Sequence, residues 1–188
     1  MKKIFFLLYI FSFFSPISGL KAAEIKRWEA IPGQSKIEFQ ANQDGTEING
    51  SFKKFVAEIF FDKNNLKQSR VTITIDLNSL QSSFSDALNM LSAKEWFDLA
   101  KFPQAKFTSK NFEKISENKF RSLGSLQLKE KTLPIAFDFS FNQYSATQAQ
   151  AVGSFILKRS DFGVGNKDEK LAHGVKDEVI VKFLITAK

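Results

Sequence analysis

A strict alternation of apolar with small or polar residues narrows what this chain can fold into more than any other feature. In Val71-Thr-Ile73-Thr-Ile75-Asp-Leu77 and Ile135-Ala-Phe137-Asp-Phe139-Ser-Phe141, every second residue is apolar. Two is the period of a β-strand, whose successive side chains point to opposite faces. Each run therefore reads as a strand with one wet and one buried face, the habit of antiparallel sheet. The same parity sets Ile37, Phe39 and Ala41 in an earlier strand, and Phe120, Ser122, Gly124, Leu126 and Leu128 in a later one. It continues in Ala149, Ala151, Gly153, Phe155 and Leu157. One run changes phase: Ile48, Gly50 and Phe52 are even, whereas Phe55, Ala57, Ile59 and Phe61 are odd. A β-bulge at Lys53-Lys54 would restore the facing.

Turn signals separate the runs at Asn42 to Gly45, Asp62 to Ser69, Glu117-Asn118, Lys129 to Lys131 and Asn142 to Ala146. With strands near Ala105 to Asn111 and Asp177 to Thr186, the count comes to about eight, which suggests a sandwich or a barrel. Ser83 to Asp98 breaks the pattern, because Phe84, Leu88, Leu91 and Trp96 recur at roughly helical spacing after a Ser83/Asp86 start. It reads as a helix across one barrel mouth. No repeat or Pro/Gly-rich linker divides the chain, so one domain is expected over residues 24–188.

Residues 1–23 stand apart. Lys2 and Lys3 precede an apolar run from Ile4 to Phe14, then Ser15, Pro16 and Gly19, the layout of a secretory signal peptide. The run is about half of the roughly 20 residues that a membrane-spanning helix needs. Cleavage after Ala23 would leave 165 of the 188 residues, with 24 of the 27 basic residues against 20 acidic ones, net +4, and 17 of the 22 Phe. The expected compartment is the periplasm.

Composition removes several classes of function. Without Cys there is no disulfide, thiolate zinc site or cysteine nucleophile, and the lone His173 cannot build a multi-histidine metal site. No metal or cofactor is expected. Neither a GxSxG elbow, a phosphate-binding glycine loop nor HExxH is present, and no enzyme is expected. Lys and Arg alternate with acids rather than clustering among exposed aromatics, which argues against nucleic acid. Asn49-Gly-Ser51 is a glycosylation triplet inside an expected strand, and Lys167-Asp-Glu-Lys170 reads as a solvated loop.

The order Trp28, Ser35-Lys-Ile-Glu-Phe39, Gly50-Ser-Phe52-Lys-Lys-Phe55, Asp86 and Glu95-Trp-Phe-Asp-Leu-Ala-Lys-Phe-Pro-Gln-Ala-Lys-Phe107 resembles the YceI-like family of secreted lipid-binding proteins. Gly124-Ser-Leu126, Thr132-Leu-Pro134 and Arg159-Ser-Asp-Phe-Gly-Val-Gly165 follow in the expected order. The resemblance implies an all-β, eight-stranded antiparallel, lipocalin-like barrel with an apolar tunnel for a polyisoprenoid, isoprenoid quinone or fatty-acyl derivative. It departs from many members around Asp86, where Ser85 precedes and Asn89 and Met90 follow, instead of a basic residue and a His.

Parity nominates the tunnel lining as Phe39, Phe52, Phe55, Phe61, Val71, Ile73, Ile75, Phe137, Phe139, Phe141, Phe155 and Leu157, with Leu88, Leu91 and Trp96 from the helical segment. Such an interior is either filled by its own side chains or leaves room for one slender ligand. Inward Gly50, Gly124, Gly153 and Ala57 favour room. A hydrocarbon chain would gain about 0.8 kcal/mol per CH₂ removed from water. Arg159 continues the inward parity of Phe155 and Leu157, and two roles stand open. With Asp161 and His173 it would hold a ligand head group at a mouth; stacked on Trp28 and paired to a carboxylate, it would instead clamp one end. Outward Phe60, Ile156, Ile180 and Leu184 would serve an interaction module with a solid core, seat a homodimer, or be covered by the helix. The net charge would favour transient contact with anionic membrane surfaces.

Overall fold

The computed structural model describes residues 25–166 and 172–188. The leader, residues 1–23, and the Lys167 to Lys170 loop lie outside the described residues. The domain is an antiparallel all-β sheet curled on itself, with few helical residues. Its strands are β1 (Arg27–Glu29), β2 (Lys36–Gln43), β3 (Thr46–Phe52), β4 (Phe55–Phe60), β5 (Arg70–Asp76) and β6 (Leu80–Ser82). After the helix α1 (Ala87–Ser92) come β7 (Gln104–Lys114), β8 (Lys119–Leu128), β9 (Lys131–Tyr144), β10 (Ala149–Lys158) and β11 (Glu178–Ala187). Their lateral order is β1-β4-β5-β7-β8-β9-β10-β11-β2-β3-β6.

Eleven strands replace the eight expected: the run from Ile48 to Phe61 divides at Lys53-Lys54 into β3 and β4, and the three-residue β1 and β6 lie outside the expected runs. At Lys53-Lys54 the chain leaves the sheet between β3 and β4 instead of bulging, opposite a second break at the 3-10 turn Leu77–Ser79 between β5 and β6. The two breaks satisfy each other. Lys53 N–H donates to Ser79 O at 3.1 Å and Asp76 N–H to Lys54 O at 3.0 Å. Lys54 N–H donates to Ser79 Oγ at 2.9 Å, and that hydroxyl donates to Asp76 O at 2.6 Å. Backbone groups that leave a ladder at a kink are re-paired in this way instead of being left open. The run from Ile48 to Phe61 thus becomes two strands, and β6 continues β5 beyond the second break: β3 pairs with β2 and β6, whereas β4 pairs with β1 and β5. The short β1 also reaches β11, since Glu29 and Lys188 exchange backbone hydrogen bonds of 2.9 and 3.0 Å.

Local chemistry sets other turns. Asp44 and Gly45, with φ of 50° and 85°, join β2 to β3 as a two-residue hairpin loop, the geometry for which Asp-Gly is suited. The helix is much shorter than Ser83 to Asp98. Ser83 N–H donates to Asn49 O and Phe84 N–H to Ser82 Oγ, which ties the start to β3. Beyond Ser92, the amides of Phe97, Asp98 and Leu99 turn back to carbonyls of Leu91, Ala93 and Ser92. These turns sink Trp96 to 2% exposure.

Two buried clusters form at opposite ends of the strands. One gathers Leu77, Leu80, Leu91, Trp96, Leu128 and Phe162 beneath α1. The other gathers Trp28, Phe61, Phe120, Phe139, Ala149 and Ala187. Phe61 is its hub, with ring centroids 5.3 to 5.9 Å from Phe112, Phe120, Phe139 and Phe141. Its carbonyl accepts from Trp28 Nε1 at 2.9 Å. Replacing Phe61 by Ala should cost about 3–5 kcal/mol in urea unfolding, the range for deleting a buried Phe; a loss under about 1 kcal/mol would show that this end is not tightly packed.

Candidate ligand-binding cavity

Between the clusters lies a cavity of about 300 Å³, walled almost entirely by hydrocarbon. Along β8, Phe120 belongs to one cluster and Leu128 to the other, which puts the two ends about 26 Å apart at strand rise. The phase change of the second run is visible in the walls: Ile48 and Phe52 border the cavity before the break, Ile59 and Phe61 after it.

Most nominated residues lie at its border. These are Phe39 and Phe52 from β2 and β3, Phe61 after β4, and Val71, Ile73 and Ile75 from β5. Leu91 and Trp96 join them from the α1 region, Phe137, Phe139 and Phe141 from β9, and Phe155 and Leu157 from β10. Two do not. Phe55, the first residue after the break, is half-buried beside Ile75 but off the border. Leu88 is 41% exposed on the outer face of α1. Missed by parity were Phe107, Phe112, Val179, Val181, Phe183 and Ile185. The alternation of β11 was available, but apolar Ile180 and Leu184 on its other face obscured it.

The inward glycines act differently from the expected empty space. A Cβ at Gly50 would fall 2.3 Å from Phe39 Cζ, one at Gly124 2.7 Å from Phe107, and one at Gly153 2.5 Å from Phe183. Phe39 is the direct cross-strand partner of Gly50, and Phe183 that of Gly153. Each ring therefore covers bare backbone on the neighbouring strand, an aromatic–glycine pairing that shields the glycine. Rings placed against the wall leave the axis open.

Arg159 stands at the α1 end. Its Nη1 donates to Val164 O at 2.8 Å, Nη2 to Val175 O at 3.1 Å and Nε to Lys176 O at 3.3 Å. Its guanidinium carbon lies 5.8 Å from the Trp96 ring centroid. The clamp geometry is thus built on Trp96 rather than Trp28, and on carbonyls rather than a carboxylate. Trp28 sits in the opposite cluster with Lys26 Nζ 3.6 Å over its ring. The structure does not gather the three head-group candidates: Arg159 bonds to neither Asp161 nor His173, and both of these are exposed. The turn carrying Arg159 is pinned by Asp177, whose carboxylate accepts from Ser160 N–H at 2.9 Å and from Ser160 Oγ at 2.8 Å. Burial raises the Asp177 pKa, but the Ser160 bonds and the charges of Arg159 and Lys158 outweigh it and hold the group below its ordinary value.

Two outcomes follow from this geometry. Gly50→Ala should drive the Phe39 ring off the wall and cost about 1–3 kcal/mol, as overpacking does; in a double-mutant cycle with Phe39→Ala the combined loss should fall short of the sum. Arg159→Met strands three carbonyls, so unfolding stability should drop by about 2–4 kcal/mol. An unchanged melting temperature for Arg159→Met would refute the clamp.

The YceI-like domain model matches residues 28–187. A UPF0312 protein of Photorhabdus laumondii is 35% identical over 107 residues, which are 56% of this chain and 55% of that protein. One from Vibrio vulnificus is 26% identical over 136 residues, 69% of this chain and 72% of the relative. The chain thus spans about half the length of the first relative. Among solved structures, Burkholderia cenocepacia BcnA superposes with a TM-score of 0.79 at 30% identity, covering 85% of this chain and all of BcnA (100%). A polyisoprenoid binding domain from Saccharophagus degradans shares the fold, with a TM-score of 0.68 at 15% identity over 86% of this chain and 97% of that one. With the family model spanning nearly the whole described sheet, the chain belongs to the YceI-like family.

Proposed function

We propose that the protein is a periplasmic, non-enzymatic carrier or sensor that holds one long-chain amphiphile, a polyisoprenoid, isoprenoid quinone or fatty-acyl derivative, in its apolar interior. The observation that carries this is the cavity itself, a hydrocarbon-walled space between two buried clusters. Chains of CH₂ and isoprene units are the molecules such a space takes up at a profit in free energy, whereas ions and sugars would leave their polar groups unpaired. Counted with β3/β4 and β5/β6 each as one stave, the curled sheet has eight staves beside the three-residue β1, which supports reading it as a lipocalin-like barrel. That the Saccharophagus neighbour is a polyisoprenoid binding domain agrees with this cargo.

Cargo would enter at the α1 end. Phe84 and Leu88 are 37% and 41% exposed there, and Phe84, Met90 and Gln43 border the cavity. The same exposed apolar residues would make transient contact with a membrane surface. Export by a leader cleaved near Ala23 would place the protein beside such membranes. A solid interaction module would need a filled interior, which the cavity argues against.

Organic extracts of protein purified without detergent from the periplasm of its own host should yield one stoichiometric long-chain species by mass spectrometry. Ile73→Trp, which projects a larger ring from the wall, should abolish uptake of a fluorescent fatty acid while leaving the fold intact by circular dichroism. Empty extracts together with no uptake of prenyl or acyl probes by the wild type would refute the reading.

A further inference from the structure

Within this apolar interior one polar atom lacks a partner. Ser122 Oγ is the only buried side-chain nitrogen or oxygen among the described residues that makes no hydrogen bond. Ser122 is 2% exposed and borders the cavity. It lies on β8 between Phe112 of β7 and Phe137 of β9, two residues from the fully buried Phe120. Other interior hydroxyls are used: Ser109 Oγ donates to Leu123 O at 2.9 Å, and Ser35 Oγ to Thr186 O at 3.2 Å. A hydroxyl brings one donor and two acceptor sites, and burying all of them unpaired is unfavourable.

Its surroundings define what could satisfy it. Among the described residues no Lys or His borders the cavity, and the one basic residue there, Arg159, follows the other end of β10 with its side chain engaged by three carbonyls. On β8 the Ser122 position is about 20 Å from the α1 end at strand rise. A phosphate or carboxylate there would be an uncompensated buried charge. An uncharged alcohol, carbonyl or amide would not.

We infer that Ser122 is a deep hydrogen-bonding subsite for an uncharged oxygen or amide of the cargo, so that the polar group is buried at the Phe120 end and the hydrocarbon extends back toward α1. This rests on the proposed carrier function and adds to it the orientation of the ligand and the neutrality of its head.

The test is calorimetric binding of three probes below their aggregation limits: a prenol, the matching isoprene hydrocarbon without oxygen, and the matching prenyl monophosphate. Wild type should prefer the prenol. Ser122→Ala should weaken the prenol about tenfold, the effect of one lost hydrogen bond, and leave the hydrocarbon unchanged, while Ser122→Thr should retain prenol affinity. Thermal melting of Ser122→Ala at or above wild type separates a lost subsite from a damaged fold. Equal affinity of wild type and Ser122→Ala for the prenol, or a wild-type preference for the monophosphate, would overturn the subsite while leaving the carrier function standing. Wild type that binds neither prenol nor hydrocarbon would remove both.

Discussion

A hydrocarbon-walled space in water persists only if its walls are held apart by something other than the contents. Here that task falls to the two clusters at the ends of the strands, above all to the rings around Phe61. Edge-to-face pairs of Phe61 with Phe112, Phe120 and Phe139 fix their geometry more tightly than area burial alone, because ring quadrupoles favour that approach. The indole of Trp28 adds a directional bond to the Phe61 carbonyl. Between the plugs, backbone ladders carry the wall, and β8 with β9 keeps an unshifted register from Lys119 to Leu128. Collapse of the middle would have to break that ladder.

The glycine–phenylalanine pairs govern how wide the middle can be. A Phe ring projecting straight from an inward position would reach toward the axis, and the cavity border carries many such rings. At Gly50, Gly124 and Gly153 the neighbouring ring instead takes the space of a missing Cβ. A chain rich in Phe can thereby present an almost wholly aromatic and aliphatic wall without filling its own lumen. Ala would obstruct at these three sites, although strand propensity disfavours glycine.

Parity made the wall legible from sequence, since Val71, Ile73 and Ile75, and Phe137, Phe139 and Phe141, hold the positions that alternation assigns. What parity cannot carry is any event that depends on the third dimension. The Lys53-Lys54 phase change was visible, but its form as a strand break depends on Ser79, which lies 25 residues downstream from Lys54 and supplies both a carbonyl and a hydroxyl. The helix shrank for a similar reason: the Trp96 side chain is pulled into the core, and buried area there outweighs the helical spacing of Phe84, Leu88 and Leu91. Leu88 followed a period that the short α1 does not sustain. Arg159 was placed at the border by parity, yet its partners Val164, Val175 and Lys176 come from loops whose approach no local pattern encodes.

Ser122 on β8 and Arg159 just after β10 illustrate opposite solutions to the same cost. Leaving a buried hydrogen-bonding group unpaired costs about 1–3 kcal/mol, and more when it is charged. Arg159 could not be kept at the cavity border on those terms, and the fold surrounds it with three carbonyls, a Trp face and the nearby Asp177 carboxylate. Such a guanidinium is already engaged before any ligand arrives, so it contributes rigidity at the α1 end. Ser122 is neutral, and an unpaired hydroxyl is a cost that a domain of this size can carry. Ala at the same position would keep the strand and spare that cost. A serine among Phe112, Phe120 and Phe137 is therefore explained by something that enters the cavity and not by the folding of the sheet itself.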